Sequence, residues 1–190
     1  MSYLKTFSPW IAYWAGTAVA DWRLGLAAGL VVGIAVLVSG RRDGVDVISA
    51  AGVVYFAALL PVALAEPASS LSDGTAAMAL AVLGIAATAS ILLGRPFTET
   101  FARRETPQEL WDTPQFRDAN RVITTAWAVS FLVTAAVLAV LLLIAPDALG
   151  VRIAVQVVGF VVPIRFTSLY RARLRARYAP AALAGVPAAD

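Results

Sequence analysis

Residues 122–144 carry the sequence VITTAWAVSFLVTAAVLAVLLLI, an uninterrupted run in which no side chain is charged. About 20 apolar residues in a helix cross the roughly 30 Å hydrocarbon layer of a bilayer, so this run predicts a transmembrane helix. The same rule predicts transmembrane helices over Leu24–Ser39, Val47–Ala65, Thr75–Leu93 and Val151–Tyr170. The sequence therefore predicts an all-α integral membrane bundle with five such helices, or six if an N-terminal segment also crosses.

The composition of the whole chain agrees with a lipid environment. Of its 190 residues, 60% are hydrophobic and 14% are charged, whereas soluble domains carry about 25% charged residues. We therefore predict a single membrane domain over residues 1–178. Residues 179–190 are rich in alanine and proline and are predicted to form a flexible C-terminal tail.

The N-terminal segment, residues 1–23, contains a shorter apolar stretch, Phe7–Ala20. As a helix this stretch is about 21 Å long at a rise of about 1.5 Å per residue, which is less than a usual span. It suits a short sixth transmembrane helix, a re-entrant piece or an interfacial helix. Its tryptophans favour an anchor at the headgroup level, where indole rings prefer to lie. These are Trp10, Trp14 and Trp22.

Arginine placement predicts the orientation, because loops rich in arginine and lysine stay in the cytoplasm. One side carries Arg41, Arg42, Arg95, Arg103, Arg104, Arg117, Arg121, Arg171, Arg173, Arg175 and Arg177. The other side has Arg23 and Arg152 among acidic residues. The long loop at 94–121 and the C-terminus are therefore predicted to be cytoplasmic. A sixth span over Phe7–Ala20 would place Lys5 on the same side.

The chain lacks the residue types on which many catalytic and cofactor sites depend. It has no cysteine, hence no disulfide or thiolate metal site, and no histidine, the usual general base and haem ligand. Lys5 is the only lysine and precedes the first apolar stretch, which excludes a retinal Schiff base. We predict that the protein is not an enzyme and has no catalytic residue, no metal and no cofactor.

The loop at 94–121 is the only long polar stretch, and it contains two helix-start signals. Residues Thr106–Glu109 form a capping box with proline at the first helical position, which predicts a short helix. Thr113 before Pro114 predicts the start of a second helix. Because no further proline or glycine occurs before Pro146, this second helix is expected to run on into the membrane.

The same loop concentrates side chains that suit contact with anionic lipid or with a partner protein. Phe97 and Phe101 are four residues apart and share one helical face, and nearby arginines are placed to reach lipid phosphates. The predicted contact residues of the loop are Arg95, Phe97, Phe101, Arg103, Arg104 and Trp111. The carboxylates of the loop are expected to be solvated or paired with arginines, and not catalytic.

Arg165 is the one charged residue expected inside a span, and it is a further candidate contact. The uncharged run before it, Ile153–Ile164, covers about 18 Å, so Arg165 should lie within the cytoplasmic leaflet. Its side chain is expected to snorkel to the headgroups. Pairing with Asp46, Glu99 or Asp118, or with a lipid phosphate, is the alternative.

Glycines recur every four residues at Gly25, Gly29 and Gly33 and predict a helix face that another backbone can approach closely. This face is expected either to pack against another helix of the same chain or to form the interface of a homodimer. At the far end of the chain, the arginines over Arg171–Arg177 predict attraction to anionic lipid. The basic residues form no continuous stripe, so nucleic acid is not an expected partner.

Four short motifs carry a family resemblance. They are Ser8-Pro9-Trp10, Gly94-Arg95-Pro96-Phe97, Leu110-Trp111, and Asn120 followed by Ala126-Trp127-Ala128-Val129-Ser130-Phe131. These resemble the bacterial intracellular septation protein A family and its uncharacterised relatives. The resemblance implies an inner-membrane protein linked to envelope maintenance and cell division, which acts through other proteins and has no catalytic residues. The chain departs from the family in its longer loop over Thr98–Arg117 and in its arginine-rich tail.

Three hypotheses for the function follow. The first is a non-enzymatic scaffold or accessory partner in the bacterial inner membrane. The second is a small transporter or channel, with Arg165, Gln156 and Tyr55 lining its path and a symmetric homodimer supplying the missing half. The third is a subunit of a larger energy-converting or lipid-handling complex.

Overall fold

The computed structural model describes residues 2–40 and 46–184 of the protein, with side chains over residues 5–40 and 46–177. Over these ranges the chain is mostly helical and contains no strand. The described residues form α1 Ser2–Val19, α2 Trp22–Ser39, α3 Val47–Ala65, α4 Leu71–Leu92, α5 Glu99–Ala102, a 3₁₀ turn Gln108–Leu110, α6 Pro114–Ile144 and α7 Leu149–Ala184. Of these helices, α2, α3, α4, α6 and α7 are long and apolar enough to cross a membrane. The prediction of an all-α membrane bundle is confirmed.

Helix boundaries follow local signals of the sequence. Thr113 caps α6 by accepting a hydrogen bond from the backbone N–H of Phe116 at 3.4 Å, and α6 continues unbroken through the apolar run. The start signal at Thr106–Glu109 yields only the 3₁₀ turn, because Pro107 takes the capping position and has no side-chain acceptor.

Helix α7 extends into the predicted C-terminal tail. Residues 179–184 continue α7 as helix, where the sequence predicts a flexible tail from 179 onward. Residues 185–190 lie outside the described ranges.

The N-terminal helix α1 lies among the other helices of the bundle. A tight connection joins it to α2, where Asp21 caps α2 by accepting from the backbone N–H groups of Arg23 and Leu24 at 2.9 and 3.1 Å. Rings of α1 contact rings of three other helices. The centroid distances are 5.0 Å for Trp10–Phe56, 5.6 Å for Phe7–Trp127 and 5.1 Å for Trp14–Phe160. Helix α1 is therefore a central element of the bundle.

The tryptophans near the N-terminus belong to this core, which corrects the prediction of a headgroup anchor. Trp10 is fully buried, and the indole N–H of the buried Trp22 donates to the backbone oxygen of Pro67 at 3.0 Å. Trp14 is half-buried. The rings of Trp10 and Trp14 pack against Phe56 of α3 and Phe160 of α7. Because Lys5 and several hydroxyl side chains lower its hydropathy, α1 is not among the five apolar helices.

The glycine face of α2 packs against other helices of the same chain. A Cβ at Gly25 would lie 2.6 Å from the backbone oxygen of Tyr13 in α1, and one at Gly29 would lie 2.9 Å from the ring of Phe56 in α3. At Gly33 the nearest atom, 2.8 Å away, is on a side chain of α3. This face is closed by contacts within the chain, so it is not available as the seam of a homodimer.

The last helix, α7, packs on α6 and leaves most of its surface uncovered. Two hydrogen bonds join it to α6. The hydroxyl of Ser130 donates to the backbone oxygen of Gly159 at 2.8 Å, and the indole N–H of Trp127 donates to the hydroxyl of Thr167 at 3.1 Å. Its outward face carries Val151, Ile153, Val157, Val158, Val161, Val162, Ile164 and Leu169. Such a large exposed apolar surface is typical of a helix that contacts a membrane.

Candidate functional site

One end of the bundle, here called the basic end, gathers the arginines of the predicted cytoplasmic side. The amino ends of α1 and α3 and the carboxyl end of α2 meet the segment 94–121 there, around a small cleft. This cleft is lined by Lys5, Leu37, Gly40, Asp46, Thr100 and Phe101, among others. Helix α7 joins the same end through an ion pair between Arg171 and Glu105. Arg41 and Arg42 lie outside the described ranges.

The ion pair between Arg171 and Glu105 ties α7 to the loop. The guanidinium of Arg171 lowers the pKa of the Glu105 carboxyl below its usual value. Attraction between the two groups is therefore present at neutral pH and is lost as the pH falls through that lowered pKa. Because the Glu105 side chain is 56% exposed, the pair contributes less than about 1 kcal/mol to stability. The pair shows that α7 lies beside the loop at this end of the bundle.

Phe97 and Phe101 enter the protein core, which corrects their prediction as lipid anchors. Each is 2% exposed. The ring of Phe97 meets those of Trp127 and Phe101 edge to face, at centroid distances of 6.4 and 6.2 Å. The two phenylalanines therefore seal the basic end of the bundle from within and do not project toward lipid.

Gly94 makes this inward course of the chain possible. Its φ of 71° lies in the left-handed region, which glycine adopts without steric cost. Just after it, the backbone N–H of Arg95 donates to the backbone oxygen of Ser90 at 2.9 Å. The N–H of Phe97 then donates to the Ser90 hydroxyl at 3.1 Å. The chain thus folds back over the end of α4, which places Phe97 in the core.

Beneath these rings lies a buried group of polar side chains, Thr98, Asn120 and Thr124, here called the polar junction. The Thr98 hydroxyl lies 2.8 Å from the Thr124 hydroxyl, and 3.0 and 3.3 Å from the backbone and side-chain oxygens of Asn120. The Asn120 amide nitrogen donates to the backbone oxygen of Phe116 at 2.8 Å. The polar junction fastens the loop to α6.

The polar junction was not among the predicted site residues. The sequence marks Asn120 only as part of the family motif and gives no role to Thr98 or Thr124. The position of Asn120 at the start of an apolar run could have indicated it. A buried amide there is costly unless neighbouring polar groups form hydrogen bonds with it.

A cleft of about 750 Å³, here called the loop cleft, opens at the basic end. Five predicted contact residues line it, namely Arg95, Phe97, Arg103, Arg104 and Trp111. Arg103 forms an ion pair with Glu99 at 2.7 Å, and its guanidinium carbon lies 4.9 Å from the centre of the Trp111 ring. The structure therefore brings these residues together, but the charge of Arg103 is already balanced within the loop.

Arg165 lies on the exposed face of α7 and forms no ion pair with any side chain in the described ranges. The predicted carboxylate partners are engaged elsewhere or lie apart. Glu99 pairs with Arg103, and Asp46 caps α3. Asp118 borders a cleft of the loop that Arg165 does not line. Snorkelling of Arg165 to the headgroups stays a prediction.

The residues suggested for a transport path are not brought together. Gln156 and Arg165 are nine residues apart on α7, which at about 100° per residue places them on opposite faces of that helix. Tyr55 is buried, with its hydroxyl donating to the backbone oxygen of Thr75 in α4 at 2.7 Å. These three side chains therefore do not line a common lumen.

The fold and its basic end define a multi-pass helical membrane protein. Comparison of the chain with protein-family models, with curated proteins and with solved structures finds no match in any of the three. The resemblance of the short motifs to the septation family stays a prediction.

Proposed function

We propose that this chain is a non-enzymatic protein of the bacterial inner membrane that serves as a scaffold or accessory partner. Its setting is envelope maintenance and cell division, as the motif resemblance implies, or a larger membrane complex. The single observation that carries the proposal is the filled interior of the bundle. There, α1, α3 and α6 interlock through large side chains that are almost wholly buried, namely Trp10, Tyr13, Phe56 and Phe131.

Interlocked rings favour a rigid element over a transport route. Transporters bind substrate near the bilayer midplane, at polar groups or unwound helices that rearrange between two states. Aromatic side chains packed at van der Waals contact resist such rearrangement, because every ring must move with its neighbours. A rigid bundle with exposed apolar helices is suited to holding other membrane proteins in position.

In this proposal α1 is a sixth membrane-crossing helix. Near its start, Lys5 lines the small cleft at the basic end beside Asp46. Its last residues lead to Asp21 at the opposite end. Thr6 and Tyr13 of α1 are buried, so their hydroxyl groups do not face hydrocarbon. Six crossings place both termini and the segment 94–121 in the cytoplasm, where the basic end meets anionic lipid.

Cysteine labelling tests this topology, and the chain is a natural cysteine-free background. The substitutions Lys5→Cys, Gln108→Cys, Val19→Cys and Ser70→Cys each place one thiol at an exposed position near one end of the bundle. In intact spheroplasts, a membrane-impermeant maleimide should label positions 19 and 70. Positions 5 and 108 should react only after permeabilisation. Labelling of Gln108→Cys from outside would contradict the orientation, and opposite behaviour of positions 5 and 108 would contradict six crossings.

Purification from the native membrane in mild detergent tests the scaffold role. We expect mass spectrometry to find membrane or division proteins retained in stoichiometric amounts, and we expect deletion of the gene to alter cell length or envelope integrity. An unrelated multi-pass protein purified in parallel defines the background. A homo-oligomer without partners that passes solute in proteoliposomes would overturn the proposal in favour of the transporter alternative.

A further inference from the structure

A third cleft of the basic end, here called the arginine cleft, lies where α6 leaves the loop and enters its apolar run. It has a volume of about 650 Å³ and is bordered by Arg95, Arg117, Asp118 and Arg121. Arg95 closely follows the end of α4, and Arg121 immediately precedes the uncharged stretch 122–144. Both guanidinium groups therefore stand at the level where headgroups of a bilayer would lie.

The arginine cleft keeps a positive charge that the described residues do not neutralise. Arg95 and Arg121 are exposed, and neither forms an ion pair within the ranges that the structure describes. Two other arginines of the lining are already paired, Arg117 with Asp112 and Arg103 with Glu99, each at 2.7 Å. Asp118 is the one lining carboxylate without an ion pair in those ranges, against Arg95 and Arg121, so the local balance favours an anion.

An apolar groove between α6 and α7 begins at the same arginine. Arg121 borders the groove as well as the arginine cleft, and the groove has a volume of about 700 Å³. From Arg121 it continues along Val122, Ala126, Val129 and Val133 of α6 and Val158 and Val162 of α7. A positively charged cleft and an apolar groove along a membrane helix thus share Arg121 as a lining residue.

We propose that the arginine cleft and the groove together bind one anionic phospholipid. Its phosphate contacts Arg95 and Arg121, and one acyl chain lies along the α6–α7 groove. Guanidinium groups suit phosphate oxygens, and the methyl groups of the valines suit a hydrocarbon chain. A free anion would account for the cleft alone, and a partner helix for the groove alone. Because Arg121 belongs to both, the geometry favours a ligand with both a charge and a chain. The inference rests on the membrane location proposed above.

Retention of lipid tests the proposal. The full chain is reconstituted into nanodiscs of phosphatidylcholine that contain phosphatidylglycerol, then transferred to mild detergent for native mass spectrometry. We expect one retained phosphatidylglycerol. Arg95→Gln and Arg121→Gln should each lower its retention about fivefold, the equivalent of about 1 kcal/mol per arginine at an anionic surface. Ala126→Phe, which fills the groove, should lower it as well.

Matched control variants distinguish a specific lipid site from non-specific attraction between the protein and anionic lipid. Arg23→Gln removes an exposed arginine at the opposite end of the bundle, and Val31→Phe enlarges an exposed apolar side chain on α2. Both should leave retention unchanged. Equal losses in controls and site variants would overturn the site, as would equal retention of phosphatidylcholine. Displacement of the lipid by inorganic phosphate would assign the cleft to free anions.

Failure of the lipid site and failure of the membrane location give different results. A protein that does not belong in the bilayer would not reconstitute into nanodiscs. A protein without the site would reconstitute normally and carry no specific lipid. Thermal unfolding of each variant shows whether it is folded, and Arg121→Lys should retain part of the binding because the charge is kept while the planar fork is lost.

Discussion

Replacing Gly25 by alanine should lower the melting temperature of the detergent-solubilised protein by about 2–12 °C. At this position α1 and α2 are in backbone contact, and the added Cβ would lie 2.0 Å from the hydroxyl oxygen of Thr17 and 2.6 Å from the backbone oxygen of Tyr13. The Thr17 side chain can rotate away, but the Tyr13 oxygen belongs to a helix and moves only if α1 moves. Overpacking of this kind costs about 1–3 kcal/mol, and each kcal/mol corresponds to about 2–4 °C for a chain of this size.

Gly150→Ala is the matched control for Gly25→Ala. A Cβ at Gly150 would have no atom within 4 Å, so this change adds helix propensity without overpacking. We expect an unchanged or slightly raised melting temperature. The larger Gly25→Leu should prevent α1 from docking and leave little monodisperse protein. Equal melting temperatures for Gly25→Ala and Gly150→Ala would show that α1 and α2 are not in backbone contact.

The second large effect is expected at the polar junction, from Thr98→Val. Valine keeps the shape of threonine but removes the hydroxyl that lies among the buried oxygens of Asn120 and Thr124. Leaving a buried acceptor unsatisfied costs about 1–3 kcal/mol, so we expect a loss of stability of that size. The loop should also become more susceptible to trypsin at Arg103 and Arg104, because Thr98 fastens it to α6.

A double-mutant cycle makes this prediction specific. If Thr98 and Thr124 act together across 2.8 Å, Thr124→Val should cost less in the Thr98→Val background than in the wild type. Thr125→Val is the control, since that exposed hydroxyl donates to the backbone oxygen of Arg121 on its own helix. We expect a change within about 0.5 kcal/mol. Additive effects of the two buried substitutions would contradict a shared polar junction.

Hydropathy predicts the five apolar helices because the cost of exposing a polar backbone to hydrocarbon leaves few alternatives. The limits of α3 are Val47–Ala65 in both the prediction and the structure. The central position of α1 could not be obtained this way. Lys5 and the hydroxyl side chains lower its hydropathy, and its tryptophans suit an interface as well as a core.

In the loop, too, residue types and spacing do not predict where individual side chains lie. Arginines beside Phe97 and Phe101 are compatible with a lipid-facing helix or with a plug in the end of the bundle. What decides between them is the left-handed turn at Gly94 and the acceptor offered by the Ser90 hydroxyl. Neither follows from the aromatic spacing, because both depend on where the chain leaves α4.

The position of α1 also sets the order in which the protein can be completed during synthesis. Phe7 and Trp14 leave the ribosome well before their ring partners Trp127 and Phe160. These rings of α1 therefore lack their partners on α6 and α7 until those two helices have been synthesised. Nascent chains halted after α4 should expose the rings, and incomplete tertiary packing of this kind makes a chain prone to misassembly.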